Sequence, residues 1–188
     1  MKFKVTPQSI PEVLLIEPTV FADSRGYFKE SYNFNDFEEF LPGIKFVQDN
    51  ESKSSKGVLR GLHFQKAPHA QAKLVRVVQG AIWDVAVDLR PGSKTFQHFC
   101  FTELSAYNHH QYFVPRGFAH GFIVLSDTAV LAYKTDNFYH YQSEAGIHPH
   151  DPFLNIPWPL PKEEHILSSK DKVLPNLSDL ISNSVKAV

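Results

Sequence analysis

Trp83-Asp84-Val85-Ala86-Val87-Asp88-Leu89-Arg90, followed at once by Pro91-Gly92, decides the fold class. Large apolar residues alternate with small or polar ones, the period-2 signature of a β-strand that buries one face. The Pro-Gly pair then ends it as a turn. Upstream, Lys73-Leu74-Val75-Arg76-Val77-Val78 reads as a second strand, closed by Gln79-Gly80. Gly26 to Tyr32, Thr95 to Glu103, Gln111 to Val114, Gly117 to Leu125 and Ala129 to Lys134 add further short strands. Their spacing, with turn residues between them, predicts a mostly β sandwich or barrel. Helix is sparse. Asn33 to Leu41 is one candidate, with Asn33 or Asn35 as cap and Pro42-Gly43 as stop; short pieces near Glu163 to Ser168 and Leu177 to Ile181 are others. After His148 the prolines crowd together, from Pro149 to Pro161, so a loop wraps the body from about 149. One domain over 1–188 is expected, and its last residues, SNSVKAV, are expected to fray.

Charge narrows the function classes. Lys and Arg number 19 against 20 Asp and Glu, a net charge of −1, so the chain lacks the cationic excess of a general nucleic-acid or anionic-membrane binder. A single cysteine, Cys100, excludes a disulfide framework and a Cys-rich zinc site. No apolar run is long enough to span a bilayer, and the start, MKFKVTPQSI, has no signal-peptide core, which makes cytoplasmic residence the expectation.

Four constellations carry possible chemistry. In Arg60-Gly61-Leu62-His63-Phe64-Gln65, strand alternation puts His63 on the face of Gly61 and Gln65, opposite Arg60. Read alone, His63 is a core histidine bonded to backbone. Pro115-Arg116-Gly117-Phe118-Ala119-His120 places a histidine just past a tight turn. Metal-binding cupins use such a histidine with an earlier His-x-His, but here that element reads His63-Phe64-Gln65 and its second histidine is missing. A first-row metal wants three protein ligands, so no metal site is expected. His109-His110 and His148-x-His150 read as solvated surface. Arg25, Arg60, Lys73 and Lys170 are singly surface charges, yet together they suit a diphosphate. Tyr133 ends a strand ahead of an aromatic loop and reads equally well as a core aromatic with its hydroxyl at the rim.

Taken in order, the blocks resemble the dTDP-4-dehydrorhamnose 3,5-epimerase family. They run from Asp23-Ser24-Arg25-Gly26-Tyr27-Phe28-Lys29-Glu30 and Gln48-Asp49-Asn50 through Arg60-Gly61-Leu62-His63 and Gln71-Ala72-Lys73. Asp84 to Arg90, Pro115 to Phe122, Tyr133-Lys134, Asp151-Pro152, Trp158-Pro159 and Ser169-Lys170-Asp171 complete the set. The resemblance implies a cupin-like jelly roll, a double-stranded β-helix with a few short peripheral helices, that works without cofactor or metal. It implies a homodimer with sites completed across subunits. It also implies a nucleotide-linked 4-keto-6-deoxyhexose, dTDP-linked, inverted at C3 and C5, the carbons acidified by the C4 ketone. By motif position, His63 would be the base, Asp171 the carboxylate that orients and charges it, Tyr133 the acid on the opposite face, and Lys73 the cation at the C4 oxygen. Arg25, Glu30, Gln48, Asn50, Arg60, His120, Glu144 and Lys170 match substrate contacts, and Tyr139 the aromatic that stacks on the base. Epimerisation without redox chemistry needs a base on one face and an acid on the other, because one group alone mostly returns the proton where it started. A mono-epimerase, a 3,4-ketoisomerase, a metal-dependent cupin oxygenase and a non-catalytic sugar-binding cupin are the alternatives. Asn137 to Glu144 and His148-Pro149-His150 depart from the usual pattern near the nucleotide and sugar rim, which leaves the exact base and sugar open.

Overall fold

The computed structural model describes residues 2–185. Its elements follow in the order β1 (Phe3–Pro7), β2 (Leu14–Pro18), β3 (Phe21–Asp23), β4 (Gly26–Phe28), helix α1 (Phe34–Phe40), β5 (Gln48–Ser55), β6 (Leu59–Gln65), β7 (Lys73–Gln79), β8 (Ala81–Asp88), β9 (Phe99–Ser105), β10 (Gln111–Val114), β11 (Phe118–Val124), β12 (Thr128–Thr135), β13 (Glu144–Gly146) and helix α2 (Leu177–Val185). One sheet has the order β1-β2-β10-β7-β12-β5 and the other β13-β6-β11-β8-β9, while β3 and β4 form a hairpin outside both. Few spatial neighbours are sequence neighbours, and the named strand pairs run antiparallel. That is the jelly-roll arrangement the family resemblance implies.

Between the sheets lies one core. Val75 and Val77 of β7, Tyr112 of β10 and Leu131 of β12 meet Ile82 and Ala86 of β8 and Phe122 of β11. A second apolar layer covers the outer side of the five-stranded sheet, where Val85, Val87 and Trp83 pack under Leu154, Ile156, Trp158 and Leu177. The stretch that decides the fold is therefore buried on both sides, not on one. Its apolar face lies under the C-terminal wrap. Its small and polar face, with Asp84 and Asp88 both fully buried, points into the barrel.

Local chemistry sets the remaining elements. Asn33 caps α1, its side-chain oxygen accepting from the Asn35 amide at 3.1 Å, a contact worth about 1 kcal/mol. The helix buries Phe37 edge-on against Phe3, ring centroids 5.0 Å apart. In the wrap, the buried Asp151 carboxylate accepts from the amides of Phe153, Leu154 and Leu177. It so fixes the start of α2, which runs on to Val185 beyond the expected Ile181; of the end expected to fray, 186–188 lie outside the described residues. The helix expected near Glu163 is a single 3-10 turn over Lys162–Glu164, and a second such turn, Asp171–Val173, follows. The strand expected from Gly26 to Tyr32 stops at Phe28. His150, expected at the solvated surface, is half-buried and bonded to His165 at 2.7 Å.

Candidate active site

The site begins with a bulge. On β6 and β11, His63 pairs with His120 and Arg60 with Phe122, so the stretch from 60 to 63 is set against the shorter one from 120 to 122. The extra residue flips the alternation, and Arg60 joins His63 on one face where simple strand geometry separates them. Glycine makes the approach possible: Gly61 sits at φ +126°, and a Cβ there would stand 2.6 Å from the Gly121 Cα.

The opposite wall comes from the six-stranded sheet. Tyr133 of β12 pairs with Asn50 of β5 and Val75 of β7, and Thr135 pairs with Gln48 and Lys73. Paired residues and those two apart share a face, so Gln48, Asn50, Lys73 and Tyr133 project together. Asn50, Lys73 and Tyr133 meet His63 and His120 across a cavity of about 860 Å³ that Arg60, Lys170 and Asp171 also line. An adjoining cavity of about 300 Å³ shares Asn50, His63, Lys73 and Tyr133 with it and adds Gln48, Tyr139 and Glu144.

Charge is organised within this space. His63 Nε2 lies 2.6 Å from the Asp171 carboxylate, which is almost fully buried. Burial works to raise the Asp171 carboxyl, but the hydrogen bond and charge of His63, with Ser168 and Lys170, hold it below the ordinary value. Asp171 reaches the cavity because the wrap is stitched to the sheet: Ile166 N donates to Gly57 O at 2.8 Å, and Leu59 N to Ile166 O at 3.0 Å. Lys73 donates to the His63 carbonyl at 3.3 Å. Burial pushes its ammonium down to about 8, against the pull of Asp84 and Glu144. Burial raises the Tyr133 phenol, with Glu144 adding to it and Arg60 opposing. A tyrosine so placed keeps its proton at neutral pH.

At the rim, the Tyr139 hydroxyl donates to Glu144 at 3.0 Å and the Tyr139 amide to Gln48 Oε1 at 3.1 Å. Gln48 donates in turn to Asn50 at 2.8 Å. Lys170 forms an ion pair with Glu144. Eleven of the thirteen residues singled out in the sequence thus line the two cavities, with Gln48, Tyr139 and Glu144 in the smaller alone. Arg25 and Glu30 do not. Arg25 projects from the β3–β4 hairpin with 88 % of its side chain exposed and pairs with Asp23. Glu30 pairs with Lys2 and accepts from Asn33.

Asp84 is the residue the sequence reading passed over. It bonds His120 Nε2 with both oxygens, at 2.8 and 3.0 Å. The signal was a carboxylate in the middle of a strand whose neighbours are apolar, a placement that needs a partner. Among the described residues, no three His, Cys, Asp or Glu side chains gather as metal ligands.

Fold and cavity together define a cupin-like protein of the acid–base kind, with ionisable groups from both sheets converging on one pocket. Comparison with known proteins is specific. A family model described as dTDP-4-dehydrorhamnose 3,5-epimerase matches residues 7–179. The chain is 53 % identical over 168 residues to the dTDP-4-dehydrorhamnose 3,5-epimerase of Shigella flexneri, covering 89 % of this chain and 92 % of that one. The crystal structure of the enzyme of that name from Elizabethkingia anophelis superposes with a TM-score of 0.90 at 54 % identity, over 95 % of this chain and 98 % of that one. That of dTDP-6-deoxy-D-glucose-3,5-epimerase from Legionella pneumophila in complex with dTDP-4-keto-L-rhamnose also gives 0.90, at 46 % identity over 94 % and 93 %. The chain belongs to the dTDP-4-dehydrorhamnose 3,5-epimerase family. Among the described residues, no helix is long and apolar enough to cross a membrane.

Proposed function

We propose that this chain converts dTDP-4-keto-6-deoxyglucose to dTDP-4-keto-L-rhamnose by inverting C3 and C5 through proton transfer alone. One observation carries the reading: a histidine on one sheet, bonded to an aspartate of the C-terminal wrap, faces a tyrosine on the other sheet across a cavity that also holds a half-buried lysine. With Asp171 accepting from Nε2–H, the neutral His63 ring has its lone pair on Nδ1, and that nitrogen removes the proton α to the ketone. The electrons pass to the C4 oxygen, where the Lys73 ammonium stabilises the enolate. Tyr133 returns a proton to the opposite face of the carbon, and the configuration inverts. A positioned acid or base contributes about 10²–10⁴-fold each. Turning over the second carbon repeats the cycle.

The substrate assignment rests on family membership and on the cations Arg60 and Lys170, which line the larger cavity and suit a diphosphate. Gln48, Asn50, His120 and Glu144 hold the sugar nucleotide, and Tyr139, half-exposed at the rim, stacks on the base. The working form is a homodimer. Arg25 and Glu30 stand outside their own cavity, and the β3–β4 hairpin carries the exposed rings of Phe21, Tyr27 and Phe28, so the hairpin crosses to a second copy and Arg25 and Glu30 complete that copy's site.

The experiment is turnover of dTDP-4-keto-6-deoxyglucose in D₂O, read by NMR. Two deuterons and L-rhamno product are expected. One deuteron makes the chain a mono-epimerase, and none removes the substrate assignment.

A further inference from the structure

Gln65 stands two residues past His63 on β6, where a metal-binding cupin carries the second histidine of its His-x-His element. It lines the smaller cavity, is 6 % exposed, and has no task in the proton transfers proposed above. A buried amide is costly unless its donors and acceptor are met. Here backbone groups meet them in three directions. Nε2 donates to the His69 carbonyl at 2.8 Å and to the Phe138 carbonyl at 3.3 Å, and Oε1 accepts from the His140 amide at 2.6 Å.

The last two partners bracket Tyr139. The Phe138 carbonyl belongs to the peptide group that enters Tyr139, and the His140 amide to the one that leaves it. Peptide groups are planar, so holding both of them limits the φ and ψ of the residue between and fixes where its side chain sets out. Packing does not supply this restraint, because Phe138 and Tyr139 are 65 % and 52 % exposed. The rest of the loop has anchors of its own. Gln71 donates to the Asn137 carbonyl at 2.7 Å, and the His140 ring stacks on His69 with centroids 3.8 Å apart and meets the Ser143 hydroxyl at 3.0 Å. Loss of the Gln65 amide therefore loosens Tyr139 without releasing the loop.

We propose that Gln65 is a positioning residue for nucleotide binding, a buried amide that clamps the backbone on both sides of Tyr139 and so sets its ring in advance at the rim to stack on a nucleoside base. The inference rests on the reading of this cavity as a nucleotide-sugar site. The gain is preorganisation, since a ring already in place loses less freedom when the base arrives. It also accounts for glutamine where other cupins have histidine: an imidazole has two ring nitrogens and cannot offer two donors and an acceptor together.

The test is a double-mutant cycle in the full chain, Gln65→Met against Tyr139→Ala, with dTDP binding followed by calorimetry and kcat and KM measured with dTDP-4-keto-6-deoxyglucose. Gln65→Met keeps the length and apolar stem and removes the three hydrogen bonds. The dissociation constant of dTDP and KM are each expected to rise about tenfold, the scale of one base–aromatic stack, with kcat within about threefold of wild type. In the Tyr139→Ala background, Gln65→Met is expected to change dTDP affinity by less than about twofold, because the ring it positions is gone. An unchanged dTDP affinity in Gln65→Met overturns the proposal, as does a loss that falls on kcat or thermal stability alone. Losses that multiply to about a hundredfold in the double variant also overturn it, since Gln65 would then act independently of Tyr139. A wild-type chain that does not bind dTDP overturns the underlying reading instead. Should Gln65→Met fail to fold by circular dichroism, Gln65→Asn carries the same cycle and the same outcomes, its amide one methylene too short to reach both peptide groups.

Discussion

His63 Nε2 lies 2.6 Å from Asp171 Oδ1, across 108 positions of sequence. The bond joins a strand of the five-stranded sheet to a 3-10 turn of the C-terminal wrap, so the wrap forms part of the cavity wall and is not only a cover. Asp171→Asn preserves size and one acceptor oxygen but removes the negative charge that stabilises the imidazolium and favours the Nε2–H tautomer. Turnover is expected to fall by about 10²–10⁴-fold with the fold intact. A rate within twofold of wild type at pH 7 would show that His63 needs no carboxylate.

Removal of the base itself has a sharper readout. His63→Ala is expected to abolish solvent exchange at both C3 and C5, since the proposed mechanism uses one imidazole for both carbons on the same sugar face. Exchange at the wild-type rate at either carbon, followed by NMR in D₂O, would assign that proton to another group.

Tyr133→Phe separates abstraction from delivery. His63 can still remove the proton and give it back from the same side, so deuterium exchange with retained configuration is expected to persist. Inverted product is expected to fall by about 10²–10⁴-fold. Equal losses of exchange and inversion would mean that Tyr133 acts before the enolate forms.

These roles were only partly legible in the chain. The strand pattern gave a mostly β sandwich or barrel because alternation and turn residues are local signals, and the jelly roll itself came with the family resemblance. The pattern misjudged β8, since alternation reveals that two faces differ but not that both are buried, and here the apolar face lies under residues some seventy positions downstream, such as Ile156 and Trp158. β5, QDNESKSS, went unread as a strand because an edge strand with few apolar side chains has no period-2 signal. The bulge that brings Arg60 beside His63 depends on Gly61 meeting Gly121, a contact between strands that no single segment encodes. Residue by residue, family resemblance named eleven of the side chains that line the cavities, but it could not show which partner each has. The pairing of Asp84 with His120 is visible only in three dimensions.

Lys73 is expected to set the alkaline limit of the reaction. Its ammonium is pushed down to about 8 by burial, and oxyanion stabilisation requires the charged form, so the contribution is complete well below pH 8 and is lost as pH rises through that value. The phenol of Tyr133 is raised and stays protonated throughout this window. A fall in kcat/KM centred near pH 8 is therefore expected in the wild type. Lys73→Met is expected to lower the rate by about 10²–10³-fold and to abolish that fall. A limb that persists in Lys73→Met would locate the titrating group elsewhere.

The β3–β4 hairpin makes subunit mixing decisive. If Arg25 completes the site of a second copy, Arg25→Ala and His63→Ala are each inactive as homodimers for different reasons. A hybrid of the two holds one damaged site, with neither His63 nor the distant arginine, and one intact site, which combines His63 of the Arg25→Ala chain with the arginine donated by the His63→Ala chain. Random re-association of an equal mixture gives hybrids as half of all dimers, each with one working site, and so about a quarter of wild-type activity. Were Arg25 to serve its own chain, every site in the mixture would lack one of the two groups and activity would stay at the level of the parents. A monomeric mass in sedimentation at concentrations where the wild type is active would likewise dismiss the exchanged hairpin, because the donated arginine would have no second copy to reach.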